Sequence, residues 1–483
     1  MTIANRNLIL NADSYKASHY LQYPQGTTQF SSYIEARGGQ FKHAVFFGLQ
    51  MFIKEYLSKP ITNDDIDEAR AVFEAHGVPF HETGWRYIVD TCGGYLPIEI
   101  QAIPEGMVVP VQNAMVQVIN TDPQCAWLTS YVETALLRAV WYPTTVATVS
   151  WNCRQIIQGY MMETCEAIEG IDFKLHDFGA RGATTEEAAA IGGAAHLVNF
   201  QGTDTISAIM AARRYYGAEM AGFSIPAAEH STITAWGRDN EAAAYANMLG
   251  QFAGPGKLVA VVSDSYDLWN AIDNIWGDAL RGRVVATGGT LVVRPDSGEP
   301  VAIVIETIER LMKKFGCTVN NKGYRVLPDC IRVIQGDGIS QQTIVAILEA
   351  MKQRKQSADN IAFGMGGALL QKVSRDTMQF AMKTSAAKVK GIWRDVYKDP
   401  VTDRGKRSKK GILAVVKNNR GEVRTIRELD LGQRVNLLQT VFKNGQLVRE
   451  FNFDQVRANA LVSAIATEST EEADAELHSP DLG

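Results

Sequence analysis

Cysteine is scarce in this 483-residue chain: 6 in all, with no CxxC pair among them. Cys92, Cys125, Cys153, Cys165, Cys317 and Cys330 are scattered, which argues against a zinc site or a disulfide framework and fits reduced thiols in a cytoplasmic protein. An excess of positive charge is also missing. The net charge is −5, so nothing global draws the chain to nucleic acid or to an anionic membrane. No apolar stretch reaches the length of a membrane span. The opening MTIANRNLILNADSYK has no basic region followed by a long apolar run, so no secretory signal is expected. What remains, 46% hydrophobic and 21% charged residues, is the balance of a soluble globular protein, and the length is too great for one ordinary core. Two domains, or one barrel with a large addition, are expected.

Two textures divide the chain. Residues 95–120, YLPIEIQAIPEGMVVPVQNAMVQVIN, alternate apolar and polar positions around Pro and Gly, as antiparallel strands do. The same texture returns in ILAVVKNNRGEVRTI (412–426) and in TVFKNGQLVREF (440–451), where Asn444-Gly445 marks a tight hairpin turn. Residues 64–91 read as helical. From about residue 172 a unit recurs: a short apolar strand, a polar glycine-bearing turn, then a helical stretch. The strand ends are HDFGARG, VNFQGTDT, GFSIPAAEH, LVAVVSDSYD, TLVVRPDSGEP, IRVIQGDGIS and IAFGMGG. Strands alternating with helices indicate a parallel sheet, and polar residues after almost every strand favour a β/α barrel over an open sheet with one switch point. The expected fold class is α/β: a β/α barrel over 151–385 beside a smaller sheet-rich α+β domain built from both termini, 1–150 with 386–465. The end of the chain, 466–483, is acidic and expected to be disordered.

Several turns carry chemistry. QGDGIS (335–340) and FGMGGALLQK (363–372) are the last two strand-to-helix turns, where glycines admit an anion to backbone N–H groups and barrels often bind phosphate. Asp264 in SDSYD, Asp296 in RPDSG and Asp337 in GDG form a candidate rim of carboxylates for sugar hydroxyls or for a magnesium ion carried by a phosphorylated substrate. Local turn capping explains the serines of these motifs but not the repeated carboxylates. Asp204 in QGTDT is either a ligand or a helix cap. The basic run KDPVTDRGKRSKKG (398–411) is a solvated loop, a nucleic-acid segment without the usual aromatics, or a lysine arm for a phosphate-rich site. PAAEHSTITAW (226–236) sets His230, one of only 8 histidines, at a helix start, where it is a core residue, a metal ligand, or a carrier of protons or phosphate.

Taken in order, HDFGARG, VNFQGTDT, PAAEHST, SDSYD, RPDSG, IQGDG, AFGMGG, LLQK and KDP…KRSKKG resemble the nicotinamide phosphoribosyltransferases, as do NADSYKASHY and WLTSYVETALLRAVWYPTTVAT (127–148). The resemblance runs from about residue 8 to 458. It implies a type II phosphoribosyltransferase barrel working as a homodimer. The reaction implied moves phosphoribose from phosphoribosyl pyrophosphate to nicotinamide, with ATP as co-substrate and Mg²⁺ carried by the pyrophosphate. By the same resemblance Phe178 stacks on the nicotinamide ring, Tyr15 from the other subunit covers its second face, and Asp204 accepts a hydrogen bond from the carboxamide. Arg294 and Asp296 line the base and ribose region, with Arg181 near the base and phosphate, and His230, Asp204, Asp264 and Asp296 are the expected catalytic residues. Gly336, Asp337, Gly366 and Gly367 hold the ribose phosphate. Arg37, Arg375, Lys383, Lys398 and Lys406 are the cations, and His230 is the histidine phosphorylated by ATP. No direct protein ligand to a metal is expected.

The chain departs from the pattern in three places. Met365 and Ala368 stand in a turn where the family commonly has GSGGG, Ala180 stands where the animal enzymes have tyrosine, and the segment 36–47 is shorter. A nicotinate or quinolinate enzyme is the alternative within the class, and a non-enzymatic binding protein on a retained barrel the alternative outside it.

Overall fold

The computed structural model describes residues 7–402, 407–418 and 421–462. The chain divides into two units: residues 1–148, 214–218 and 373–483, and residues 149–213 and 219–372. The helix Glu133–Thr164 passes from the first into the second.

The first unit is organised by a seven-stranded sheet. Its order is Ile392–Asp395, Phe380–Val389, Thr27–Ala36, Ala114–Asn120, Ile98–Ala102, Gln439–Lys443 and Gln446–Leu447. Neighbours pair antiparallel. Both ends of the chain therefore supply strands. The strand Phe380–Val389 belongs wholly to this sheet, so a boundary at residue 385 falls in mid-strand; the apolar FAM run reads equally well as barrel or sheet from sequence. Asn444 and Gly445 take positive φ angles of 49° and 85°, the two left-handed positions of a tight hairpin, and a Cβ at Gly445 would lie 2.3 Å from the Tyr95 ring. The helices Asn63–His76 and Glu82–Cys92 fill the span read as helical, the first opened by a capping box between Thr62 and Asp65. The tail 466–483 lies outside the described residues.

The second unit is built on a parallel sheet in the order Gly202–Thr203, Leu175–Asp177, Ile361–Met365, Ile331–Gln335, Thr290–Arg294 and Leu258–Val262. The strands are short and mostly buried, as a sheet covered by helices requires. Six of the seven expected strands are regular. The seventh, GFSIPAAEH, is irregular but bonds to both edges of the sheet. Thr203 N donates to Phe223 O at 3.0 Å on one side, and Ala228 N donates to Ala260 O at 2.9 Å on the other. The parallel sheet thus curls into a ring closed by residues 223–228. Helices follow the strands, and Glu299 and Ser340 cap the two longest of those that follow the later strands, Pro300–Phe315 and Gln341–Gln353.

Candidate active site

Three neighbouring strands, Ile331–Gln335, Thr290–Arg294 and Leu258–Val262, lead at their C-terminal ends to buried polar atoms without hydrogen-bond partners: Gln335 Oε1, Arg294 Nε and Asp264 Oδ1. Such atoms are costly in a folded core, and three on adjacent strand ends offer a ligand a set of polar partners. Asp264 is held firmly by its other oxygen. Its Oδ2 accepts from the Asp296 amide at 3.0 Å and from Ser297 Oγ at 2.5 Å. Asp296 Oδ2 in turn accepts from Arg294 Nη2 at 3.3 Å.

His230 joins this set. It is the first residue of the short helix His230–Thr234, whose N-cap is the extended Glu229. Its Nε2 lies 3.4 Å from Asp296 Oδ2 and 3.9 Å from Asp264 Oδ1, and its Nδ1 lies 3.1 Å from Ser265 Oγ. The imidazole is 47% exposed and the Asp264 side chain 3%, so a buried carboxylate backs an accessible ring. This excludes the core-histidine reading. The arrangement suits a group that gains and loses a proton or a phosphoryl group, since both ring nitrogens have a polar partner and one edge stays open. Asp264, Asp296 and Asp337 do not converge on a point: no group of three or more His, Cys, Asp or Glu side chains is arranged to hold a metal ion among the described residues. The partnerless Asp264 Oδ1 still suits the hydration shell of a divalent ion brought in by a substrate.

Phe178 forms an apolar surface beside these groups. It packs on Ala260, Val292 and Ile334 and is anchored by its amide, which donates to Met365 O at 3.0 Å. The strand glycine Gly364 makes room for it: a Cβ there would lie 2.0 Å from the Phe178 ring. A Cβ at Gly336 would lie 3.4 Å from the same ring and 3.8 Å from Asp296 Oδ1, so ring, glycine turn and carboxylate adjoin. Asp337 is exposed in that turn, and its carbonyl accepts from Gln335 Nε2 at 2.9 Å. Gly366 stands at the N-cap of the short helix Gly367–Leu370, and Met365 before it is fully buried. Arg181 is exposed on the turn Ala180–Gly182, whose Gly182 would meet Gly367 with a Cβ at 3.6 Å.

Asp204 is exposed at the end of the ring strand Gly202–Thr203. Its amide donates to Asp177 O at 3.0 Å and its Oδ1 accepts from Ser224 Oγ at 2.5 Å. The helix it precedes begins at Ile206. Behind it Asp177 is buried, and burial pushes its carboxyl up while the Gly179 amide, at 2.7 Å, opposes the shift.

The sequence-expected cations fall in the other unit. Lys383 is opposite Tyr33 on adjacent strands of the antiparallel sheet. Burial holds its ammonium below the usual lysine value; Glu133 opposes this, and Arg37, Lys398 and Lys16 add repulsion. Lys16 is itself buried and paired with Glu133. Tyr15 is 56% exposed, with the Lys16 ammonium 5.4 Å from its ring centre. Arg375 pairs with its neighbour Asp376 at 3.2 Å. Lys406 lies outside the described residues.

Four residues of the site were not singled out by the sequence: Gln335, Ser265, Ser297 and Ser224. The three serines bond to His230, Asp264 and Asp204 rather than capping their own turns. Gln335 had one signal, a polar residue ending an apolar strand.

Two solved structures share this architecture over nearly their whole length. One is a nicotinate-nucleotide pyrophosphorylase from Pyrococcus furiosus, with a TM-score of 0.63, 16% identity, and 97% of this chain and 98% of that one covered. The other is a human nicotinic acid phosphoribosyltransferase, with a TM-score of 0.58, 16% identity, and 94% and 93% covered. The fold is that of the type II phosphoribosyltransferases. In sequence, residues 173–446 match the nicotinate phosphoribosyltransferase (NAPRTase) family and residues 7–100 match the nicotinamide phosphoribosyltransferase N-terminal domain. A nicotinamide phosphoribosyltransferase from Xanthomonas campestris is 55% identical over 94% of this chain and 98% of its own, and one from Acinetobacter baylyi is 32% identical over 93% and 96%. The chain belongs to the nicotinate phosphoribosyltransferase family and, within it, to the nicotinamide phosphoribosyltransferases, and is a pentosyltransferase enzyme.

Proposed function

We propose that the enzyme transfers phosphoribose from phosphoribosyl pyrophosphate to nicotinamide, giving nicotinamide mononucleotide and pyrophosphate, as a cytoplasmic step of NAD salvage. The observation that carries the reading is the set of partnerless polar atoms on three adjacent strand ends, next to the Phe178 ring and the Gly336 turn. In the reaction the bond from ribose C1 to pyrophosphate breaks, and the nicotinamide ring nitrogen forms a bond to C1. The substrate is its own nucleophile, so the protein's task is orientation and charge. Phe178 stacks the base. Asp204 accepts from the carboxamide NH₂. Arg294 and Asp296 hold the base and ribose side, and the turns at Gly336–Asp337 and Gly366–Gly367 hold the ribose phosphate.

Magnesium bound to the pyrophosphate neutralises charge on that leaving group. Asp264, whose buried Oδ1 has no hydrogen-bond partner, and Asp296 would accept from the water shell of that ion. The Lys383 ammonium, destabilised by burial and by neighbouring cations, would be stabilised by a phosphate. We assign Arg37, Arg375, Lys383, Lys398 and Lys406 to phosphate binding in a homodimer, with the partner subunit's Tyr15 over the second face of the base. His230 takes the γ-phosphoryl group of ATP: an N–P bond forms, the P–O bond to ADP breaks, and water later cleaves the phosphohistidine.

The test is synthesis of nicotinamide mononucleotide from nicotinamide, phosphoribosyl pyrophosphate and Mg²⁺, with and without ATP. His230→Ala should abolish ATP stimulation and protein-bound phosphate, read by mass spectrometry, while slow ATP-independent synthesis persists. Product formation only with nicotinate would overturn the choice of base. Phosphate on another residue would overturn the role of His230.

A further inference from the structure

The closing segment of the ring carries a residue with no assigned part in this chemistry. Ser224 donates to Asp204 Oδ1 at 2.5 Å, and both backbones are fixed where they meet. Phe223 N donates to Gln201 O at 2.7 Å and Phe223 O accepts from Thr203 N at 3.0 Å, so Ser224 directly follows a residue bonded in both directions to the Asp204 strand. The Asp204 amide is held by Asp177 O at 3.0 Å. An exposed aspartate ordinarily turns freely about its side-chain bonds. Here one oxygen is claimed by a hydroxyl, and Oδ2 has no hydrogen-bond partner among the described residues.

We infer that Ser224 is the specificity-positioning residue of the site: it ties down Asp204 Oδ1 and so presents Oδ2, an acceptor only, to the amide donor of a neutral carboxamide base. The inference rests on the reading of Asp204 as the carboxamide acceptor. A serine hydroxyl has one proton to give. Once it is spent on Oδ1, the Asp204–Ser224 pair has no proton left to offer a second carboxylate, and a base bearing one meets a fixed negative charge. A base bearing an amide meets an acceptor already oriented, without the entropy cost of ordering it. Ser224 does not touch the reacting atoms and acts through Asp204.

The experiment is a double-mutant cycle on the full-length enzyme. Steady-state kinetics with nicotinamide and with nicotinate are measured at saturating phosphoribosyl pyrophosphate and Mg²⁺, with the melting temperature of each variant as a control. Ser224→Ala should lower kcat/KM for nicotinamide by roughly tenfold, the scale of one charge-assisted hydrogen bond, mostly through KM. Nicotinate use should not fall, because that base gains nothing from an oriented acceptor and loses a fixed repulsion. Ser224→Thr, which keeps the hydroxyl, should restore the wild-type preference. In an Asp204→Asn background the further change Ser224→Ala should leave the preference where Asp204→Asn put it. If Asp204→Asn shifts the preference but Ser224→Ala does not, or lowers use of both bases equally, the inference fails and the reading of Asp204 stands. If Asp204→Asn leaves the preference unchanged, that reading fails and takes the inference with it.

Discussion

Two buried carboxylates, one in each unit, are treated in opposite ways. In the sheet unit Glu105 is fully buried, yet it is saturated. Gly48 N donates to its Oε2 at 3.1 Å, Tyr216 Oη donates to the same oxygen at 2.6 Å, and Gln50 N donates to its Oε1 at 2.7 Å. Burial pushes this carboxyl up, and those donors pull against the shift. In the barrel unit Asp264, Arg294 and Gln335 are also withdrawn from water, but each keeps one atom without a partner. A satisfied buried carboxylate is a structural bolt, whereas an unsatisfied one at a strand end is reserved for something that arrives later.

The contrast is broken most severely at Asp264. Asp264→Ala removes the acceptor shared by Asp296 N and Ser297 Oγ and the carboxylate backing His230. A loss of roughly 100- to 1000-fold in kcat/KM per folded molecule is expected, as for removal of a preorganised electrostatic group, along with a lower melting temperature because Asp296 N and Ser297 Oγ lose their acceptor. Gly364→Ala comes next. The added methyl would sit 2.0 Å from the Phe178 ring, so the ring must shift. KM for nicotinamide should rise at least about tenfold and stability should fall by about 1–3 kcal/mol, the usual cost of overpacking, as read from steady-state rates and urea melts.

Glu105→Gln sharpens the other side. It replaces an acceptor with an NH₂ group facing donors, which should cost about 1–3 kcal/mol in a denaturant melt. Activity per folded molecule should be unchanged. The smallest effect concerns the barrel's outer ion pair. Arg325, together with Gln356, holds the Glu309 carboxyl below its ordinary value near 4.5, against the pull of burial. A depressed folded value means the contribution is present above pH 4.5 and is lost as pH falls through that lowered value. Glu309→Gln should therefore lower the melting temperature slightly at neutral pH and not at all once the wild-type carboxyl is protonated.

Much of this was legible in the sequence, and for identifiable reasons. The barrel strands announced themselves because short apolar runs ending in polar glycine turns have few other uses, and Asn444-Gly445 named its own hairpin. The type II fold and the family were carried by the motif order. The seventh strand was legible as a unit but not as an irregular one, because a stave whose backbone meets the sheet edges at Phe223 and at Pro226 and Ala228 leaves no alternation to read. The serines stayed hidden because Ser is common in turns for local reasons, and only coordinates reveal that Ser265, Ser297 and Ser224 spend their hydroxyls on neighbours 35, 33 and 20 residues away. Gln335 needed the knowledge that its side chain is buried and half-paired.

The closing stave has a mechanical meaning as well. Elsewhere the ring is held by regular ladders, but at this seam it is fastened by Phe223 to one edge and by Pro226 O and Ala228 N to the other, with a proline that has no amide to add. A ring yields first where its stitches are fewest. Hydrogen exchange at Phe223 and Ala228 should outpace exchange at the amides of the strand Thr290–Arg294. The loosest stitch of the ring lies within a few residues of both Ser224 and His230, so a breath at that single seam would displace both side chains together.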